Sequence, residues 1–368
     1  MAAAKTSPAC IGRWQRSPRR NSLEPLALSE MFTALPPVGF STWHTADGAP
    51  GFTAALNILT TAPELRARLQ RLPGLRKLAS LLTLNTAFVG STVTEFATLP
   101  VCQPAVAMLA HALKKEMGAT HSLLVIKDLP CASPILSEED AAWSAEFTTA
   151  CLAAGFAIVQ GMALAYVPID FTSIDEYLSR LSASRRKNIR RKLRSREAIK
   201  VTHRQTGDAY YRDADICDRY YTMYMSVFHQ SEVKFDLLSR PFFDRLLTTP
   251  VPGSVVLEYW HDDRLAGFNI CYVHNAKLID KYIGFDYSMA RELNIYFVSW
   301  IVNLEYAMAH HCTHYVAGWT DPAVKASLGA RFTPTHHAIY SRHLLLRLIL
   351  KRLSRVFEMD HKWNSAQA

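Results

Sequence analysis

The chain has 368 residues, a net charge of +9 and nearly half of its residues apolar, which suits an ordered protein of two domains and excludes a disordered one. Its seven cysteines are scattered and form no C-x-x-C pair, which argues against a disulfide framework or a zinc ribbon and points to a reducing, cytoplasmic setting. The histidine pairs at 310–311 and 336–337 lack metal-ligand spacing and no G-x-S-x-G elbow occurs, so neither a metal site nor a Ser-His-Asp hydrolase is expected.

Residues 1–30 carry Pro, Ser and several Arg with little periodicity, and are expected to be a flexible basic leader without catalytic residues. They hold no continuous apolar core followed by a cleavage site, so they do not read as a secretory signal. An N-terminal half over 31–170 offers a strand at AFVGSTVTEF (87–96), a helix from about Pro104 to Met117 and a strand at SLLVIKDLP (122–130). Phe147 to Ile169 is uncharged and long enough to span a bilayer, but Gly155, Gln160, Gly161 and Pro168 divide it. A helix end, a turn and a buried strand are expected there, and no stable membrane insertion.

A basic helix is predicted over 184–197. Its core RRKNIRRKLRSR (185–196) holds eight Lys or Arg and no acid, with Ile189 and Leu193 on one narrow apolar seam. Eight cations repel one another, and an anionic ligand explains their accumulation, because Arg binds phosphate through a planar fork of donors. Adenosine phosphates, a nucleotide-linked sugar and RNA all remain open; no aromatic residues interleave the block to stack bases.

SVVLEYW (254–260) and LAGFNICYV (265–273) flank HDDR and read as a hairpin, and KLIDKYIGF (277–285) follows as a third strand. Between Ile295 and His310, Tyr296, Phe297, Trp300, Ile301, Leu304 and Met308 recur at helical steps. HYVAGW (314–319) is strand-like. Thr-Asp-Pro then suits a helix start, with Asp321 as N-cap and Pro322 at the first position, the helix ending near Gly329 before a last strand at about Thr335 to Ser341. Residues 342–368 form an amphipathic basic helix and tail, expected to dock by its Leu face; a membrane-surface helix is the alternative.

The element order, together with YIGFD (282–286), the loop YSMAREL and GWTDPAVKASLGARF (318–332), resembles the GNAT acyltransferase core and more closely its Fem-like subgroup. The resemblance implies an α/β fold with a mixed sheet, built as two tandem GNAT-like units. The spacing from Gly90 to Asp128 nearly matches that from Gly284 to Asp321, consistent with a repeat. By the same resemblance the first half helps form the acceptor groove, and residues 171–341 are the acyltransferase domain with the donor site.

That resemblance places Lys325 and Tyr282 at family positions. Lys325 is the expected electrostatic stabiliser of an oxyanion or a phosphate leaving group, and Tyr282 the residue that orients the donor or supplies a proton. Asp321 is a third catalytic candidate, although an Asp before Pro at a helix start is mostly a cap. Arg291 and Asn294, in the loop that in GNAT enzymes cradles the cofactor pyrophosphate, and Arg185, Arg186 and Arg190 are the candidate phosphate contacts. The loop reads SMARELN without glycine, and AVKASLGA has no tyrosine to protonate a thiolate; both depart from the family pattern.

The expected activity is N-acyl transfer to an amine on a small molecule or cell-wall precursor. Acyl-CoA is the expected donor and co-substrate, with no permanently bound cofactor. Aminoacyl-tRNA is the alternative donor, and a non-catalytic GNAT-fold binder of nucleic acid or anionic glycan is the rival from another class.

Overall fold

A computed structural model describes residues 19–57, 83–101, 106–231, 234–343 and Arg347. The chain divides into two compact units. The first takes its described residues from Arg19–Ser22, Phe32–Ala163 and from Thr333 onward, and the second consists of Leu23–Met31 and Leu164–Phe332. Residues 19–30 are therefore not a leader: Asn21, Leu23, Glu24 and Leu28 are buried. Leu26–Ala34 forms the helix α1. The expected leader up to residue 18 and the amphipathic helix after Ser341 lie, Arg342, His343 and Arg347 apart, outside the described residues.

In the first unit β1 (Arg19–Arg20) pairs with β5 (Leu99–Pro100). A sheet runs in the order β2 (Ser41–His44), β3 (Pro50–Asn57), β4 (Thr83–Val89), β6 (Leu123–Pro130) and β13 (Arg331–Ser341). β3 and β4 are antiparallel, and β4 connects through α2 (Val106–Met117) to β6, its parallel neighbour. α2 and α3 (Glu138–Ala153) supply Leu109, Leu113 and Phe147 to a core shared with Ala87, Leu124 and Ile126. The start of α3 is encoded locally: Ser137 accepts from the Asp140 N–H, and Glu138, Glu139 and Asp140 face the positive end of the helix dipole. The uncharged stretch resolves as the end of α3, a turn at Gly155 with φ +91°, and the buried strand β7 (Ala157–Pro168). Among the described residues no helix is long and apolar enough to cross a membrane.

The second unit repeats the arrangement. After α4 (Ile174–Ser179), α5 (Ala183–Lys192), a 3₁₀ turn at Leu193–Ala198 and β8 (Lys200–Arg204) come α6 (Ala214–Gln230) and α7 (Arg240–Thr248). Then follow β9 (Ser254–His261), β10 (Arg264–His274), β11 (Lys277–Phe285), the single turn α8 (Tyr287–Ala290), α9 (Ile295–Ala309), β12 (His314–Gly318) and α10 (Pro322–Ser327). The strand order is β7-β12-β11-β10-β9-β8. β10 and β11 are antiparallel, and β11 connects through α9 to its parallel neighbour β12. Each unit thus holds a hairpin followed by a parallel crossover, and the fold is the expected GNAT-like pair.

One expectation differs. The last strand, placed by sequence in the C-terminal domain, runs antiparallel to β6 from Thr335↔Pro130 to Ser341↔Leu123 and belongs to the first unit from Thr333 on. The division between the units falls at Ala163/Leu164, inside β7, and not at residue 170.

Candidate active site

The parallel ladder of β11 and β12 has three rungs, Lys277↔His314, Leu278↔Tyr315 and Ile279↔Val316. β11 then continues along β10 as far as Phe285, while β12 reaches only Gly318, where φ is +78°. Two strands that start paired and part in mid-course leave a wedge between them.

Asp280 is the first residue of β11 past the last rung. Its carboxylate accepts from Asn269 Nδ2 at 3.0 and 2.9 Å, from Asn303 Nδ2 at 3.0 Å, from the Tyr315 hydroxyl at 2.9 Å and from Cys271 Sγ at 3.6 Å. Burial nevertheless pushes the Asp280 carboxyl above its ordinary range, against the pull of Asn269, Tyr315, the Lys325 charge and Cys271. Burial, reinforced by the Asp280 charge, also drives Tyr315 and Cys271 well above their usual values, so both stay protonated donors.

Lys325 lies on α10 and is 5% exposed, the only lysine or arginine among the described residues that is buried as a whole. A side-chain carbon on Gly318 would stand 3.9 Å from Lys325 Nζ and 4.0 Å from the Asp280 carbonyl oxygen, so the ammonium reaches the mouth of the wedge. α10 is held from behind: the Tyr177 hydroxyl donates to the Leu328 carbonyl and accepts from Trp300 Nε1 at 3.1 Å.

The structure brings Lys325 to Asp280, and it places the other predicted residues as follows. Tyr282 sets its ring edge to face against Tyr224 of α6 at 6.5 Å, and the hydrogen bonds around Asp280 come from other residues. Asp321 is exposed in the left-handed region at φ +54° and its side chain accepts no capping hydrogen bond, which corrects the expected N-cap. Its charge instead helps raise the Tyr287 and Tyr296 hydroxyls, after burial as the larger cause. Asn294 is also left-handed, at φ +51°, and donates to the Glu292 carbonyl at 3.0 Å rather than capping α9.

Arg291 lies 5.3 Å over the Tyr287 ring and donates to Gln230 Oε1 at 3.1 Å. Arg185 reaches the Ala326 carbonyl at 3.4 Å, near the negative end of α10. Arg186 donates to the Ser179 and Leu181 carbonyls, and Arg190 pairs with Asp175 at 2.9 Å in an exposed ion pair of little worth. Arg186, Lys187, Arg190, Arg191 and Arg194 of the basic segment line a hollow of about 560 Å³, and Ile189 anchors the helix by its buried side chain.

Sequence reasoning missed Asn269, Asp280, Asn303, Tyr315 and Gly318. A signal was there for two of them: Asn269 in LAGFNICYV and Asn303 in WIVNL are lone polar residues among apolar ones, and a buried polar group needs partners, whereas Asp280 stands beside Lys281 and does not stand out. In the first unit the corresponding strand end is filled. Past the last rung Val89↔Ile126, Lys127 donates to the Ser91 carbonyl at 2.9 Å and pairs with Asp128, whose N–H bonds His337 Nδ1 at 3.0 Å.

No curated protein matches the chain by sequence. Among solved structures it is similar to FemX, with 12% identity, a TM-score of 0.54, and 95% of this chain and 100% of that one covered. It is also similar to the C-terminal domain of a putative lysylphosphatidylglycerol synthetase from Agrobacterium fabrum, at 9% identity and a TM-score of 0.52 over 85% of this chain and 86% of that one. L-PGS from Bacillus licheniformis gives 10% identity and a TM-score of 0.51 over 91% and 97%. At these identities the likeness is one of fold. The model of the FemAB-like family, described as peptidoglycan biosynthesis/recognition, matches residues 108–357, and the chain, with its GNAT-like wedge in the second unit, belongs to that family.

Proposed function

We propose that the second unit transfers an aminoacyl group from an aminoacyl-tRNA to an amine of a cell-wall precursor. The observation that carries this reading is the wedge beyond Ile279↔Val316 with the buried Lys325 ammonium at its mouth. The ester carbonyl enters the wedge, the amine nitrogen attacks it, and a tetrahedral oxyanion forms within reach of Lys325. A fixed cation in a site of low dielectric stabilises such an oxyanion far better than water does. Collapse breaks the ester C–O bond and forms the amide. The exposed Asp321 carboxylate receives the proton that the amine loses and returns it to the departing ribose oxygen, which leaves as the hydroxyl. Tyr282, packed on Tyr224, lines β11 and orients the donor.

The state of the loop favours an ester over a coenzyme A thioester. A coenzyme pyrophosphate needs open N–H groups, but here Ser288 N bonds Asp286 Oδ1, Met289 N and Ala290 N bond the Asp286 carbonyl, Leu293 N bonds Met289, and Asn294 N bonds Arg291. The basic hollow on α5 suits a phosphodiester backbone, and Lys187 and Arg194 have no carboxylate partner among the described residues. Family membership and a neighbour named as a domain of a putative lysylphosphatidylglycerol synthetase support the aminoacyl class.

The test is transfer of radiolabelled amino acid from a charged tRNA pool to an amine-bearing cell-wall precursor, with acetyl-CoA and longer acyl-CoAs in parallel. Transfer from tRNA that Lys325→Ala abolishes is the expected result. Transfer from acyl-CoA alone moves the donor to a thioester, and no transfer from any donor overturns the enzyme reading.

A further inference from the structure

The ladder of β10 and β11 is broken between Ile270↔Tyr282 and Cys271↔Asp280, so Lys281 is an extra residue, a β-bulge. The bulge decides which way Asp280 points. The two faces of this sheet are identified by adjacent residues of β10: Phe268 meets Tyr220 of α6, whereas a side chain on Gly267 would meet Ile295 of α9. Neighbouring strand residues point to opposite faces, so α6 and α9 cover opposite sides. In an unbroken strand Asp280 and Tyr282 would share a face. Here Tyr282 meets Tyr224 of α6 and Asp280 meets Asn303 of α9. Without the bulge the carboxylate would turn from its amide and hydroxyl donors toward an aromatic wall.

The extra residue is held in an unusual way. The Lys281 side chain is 5% exposed and its ammonium lies 3.3 Å from a carboxylate oxygen of Glu24, whose side chain is fully buried. Glu24 lies 257 residues away in sequence, in the segment Leu23–Met31 that belongs to the second unit, anchored by the buried Leu23 and Leu28. Two charges taken out of water are a poor way to gain stability, and the best-attested use of such a pair is to select one register over its alternatives. A shift of β11 that removed the bulge would carry Lys281 to another rung and leave both charges buried without each other.

We propose that the Glu24–Lys281 pair is a register pin that holds the bulge and so aims the Asp280 carboxylate into the wedge, making Glu24 a positioning residue for the transfer site. Its bearing on catalysis rests on the transferase reading; its bearing on register does not. Deuterium exchange of the full chain is the first test. In Glu24→Gln, and in the apolar double variant Glu24→Leu/Lys281→Met, the amides of 277–285 should exchange at least tenfold faster than in the wild type. Those of 83–89 in the first unit should be unchanged, and Lys281→Arg should keep the protection. Wild-type protection of 277–285 in a folded double variant overturns the proposal. The second test is a cycle with Asp280→Asn: Glu24→Gln should lower kcat in the wild-type background and have no further effect on kcat when Asp280 is already Asn. Additive losses overturn the positioning role, while an absence of transfer in every protein refutes the donor reading and leaves the exchange result to decide the pin.

Discussion

Glu258 gives the sharpest stability prediction, because its side chain is fully buried and every donor to it can be named. One oxygen accepts from the Tyr211 hydroxyl at 3.0 Å and the Tyr220 hydroxyl at 2.6 Å. The other accepts from Thr202 at 2.7 Å, Trp260 Nε1 at 3.1 Å and Arg204 Nε at 3.2 Å. Glu258→Gln has one good orientation: its oxygen faces Trp260 and Arg204, which only donate, and its amide faces the tyrosines, whose hydroxyls can turn and accept. The loss is then roughly one charge-assisted hydrogen bond, about 1.5–3 kcal/mol. Glu258→Leu strands the buried Tyr211 and Tyr220 donors at about 1–3 kcal/mol each, whereas the half-buried Trp260 Nε1 keeps its bond to the Thr202 hydroxyl at 2.9 Å. Arg204, a third exposed, adds little because it reaches water. The Leu variant should therefore lose about 2–6 kcal/mol, a large part of the roughly 5–15 kcal/mol that holds a typical fold. Urea titrations followed by tryptophan fluorescence and far-ultraviolet circular dichroism measure both. The reasoning fails if the Leu variant is as stable as the Gln variant, or if each lies within about 1 kcal/mol of the wild type.

Lys325→Met should cut transfer by a factor of about 10²–10³, the usual loss for one oxyanion donor; a Met variant with full turnover contradicts the assigned role. Asp280 binds its proton more tightly in the folded chain than its ordinary value of 3.8 implies, so its contribution to stability is fully present below that value and is lost as pH rises through the raised folded one. Wild-type unfolding free energy should fall across that window relative to Asp280→Asn, and parallel pH profiles would refute the buried carboxyl. Gly318→Ala places its new carbon in ordinary contact with Lys325 Nζ but must hold φ near +78°, so about 1–2 kcal/mol should be lost with most transfer retained. Gly318→Leu should block the mouth of the wedge, which kinetics with a saturating donor would show as a fall in kcat.

The sequence by itself determined the units of local structure. Runs of β-branched and aromatic residues predict β9, β10 and β11, the three- and four-residue steps predict α9, and a Ser-Glu-Glu-Asp start accounts for α3, because each depends on near neighbours. The repeated hairpin and parallel crossover follow from the order of those pieces, and Lys325 was singled out by the family resemblance alone. Local rules failed at Asp321 and Asn294, where the backbone turns left-handed and the side chain is drawn away from the helix end it was expected to cap. Tertiary structure alone decided that β13 joins the first unit, that the strands part after Ile279↔Val316, that a bulge at Lys281 turns Asp280 toward Asn303, and that Glu24 is buried against that bulge. Each is a pairing between segments far apart in the chain, and the free energy that selects it comes from burying specific charges and amides together, a quantity that no window of neighbouring residues contains.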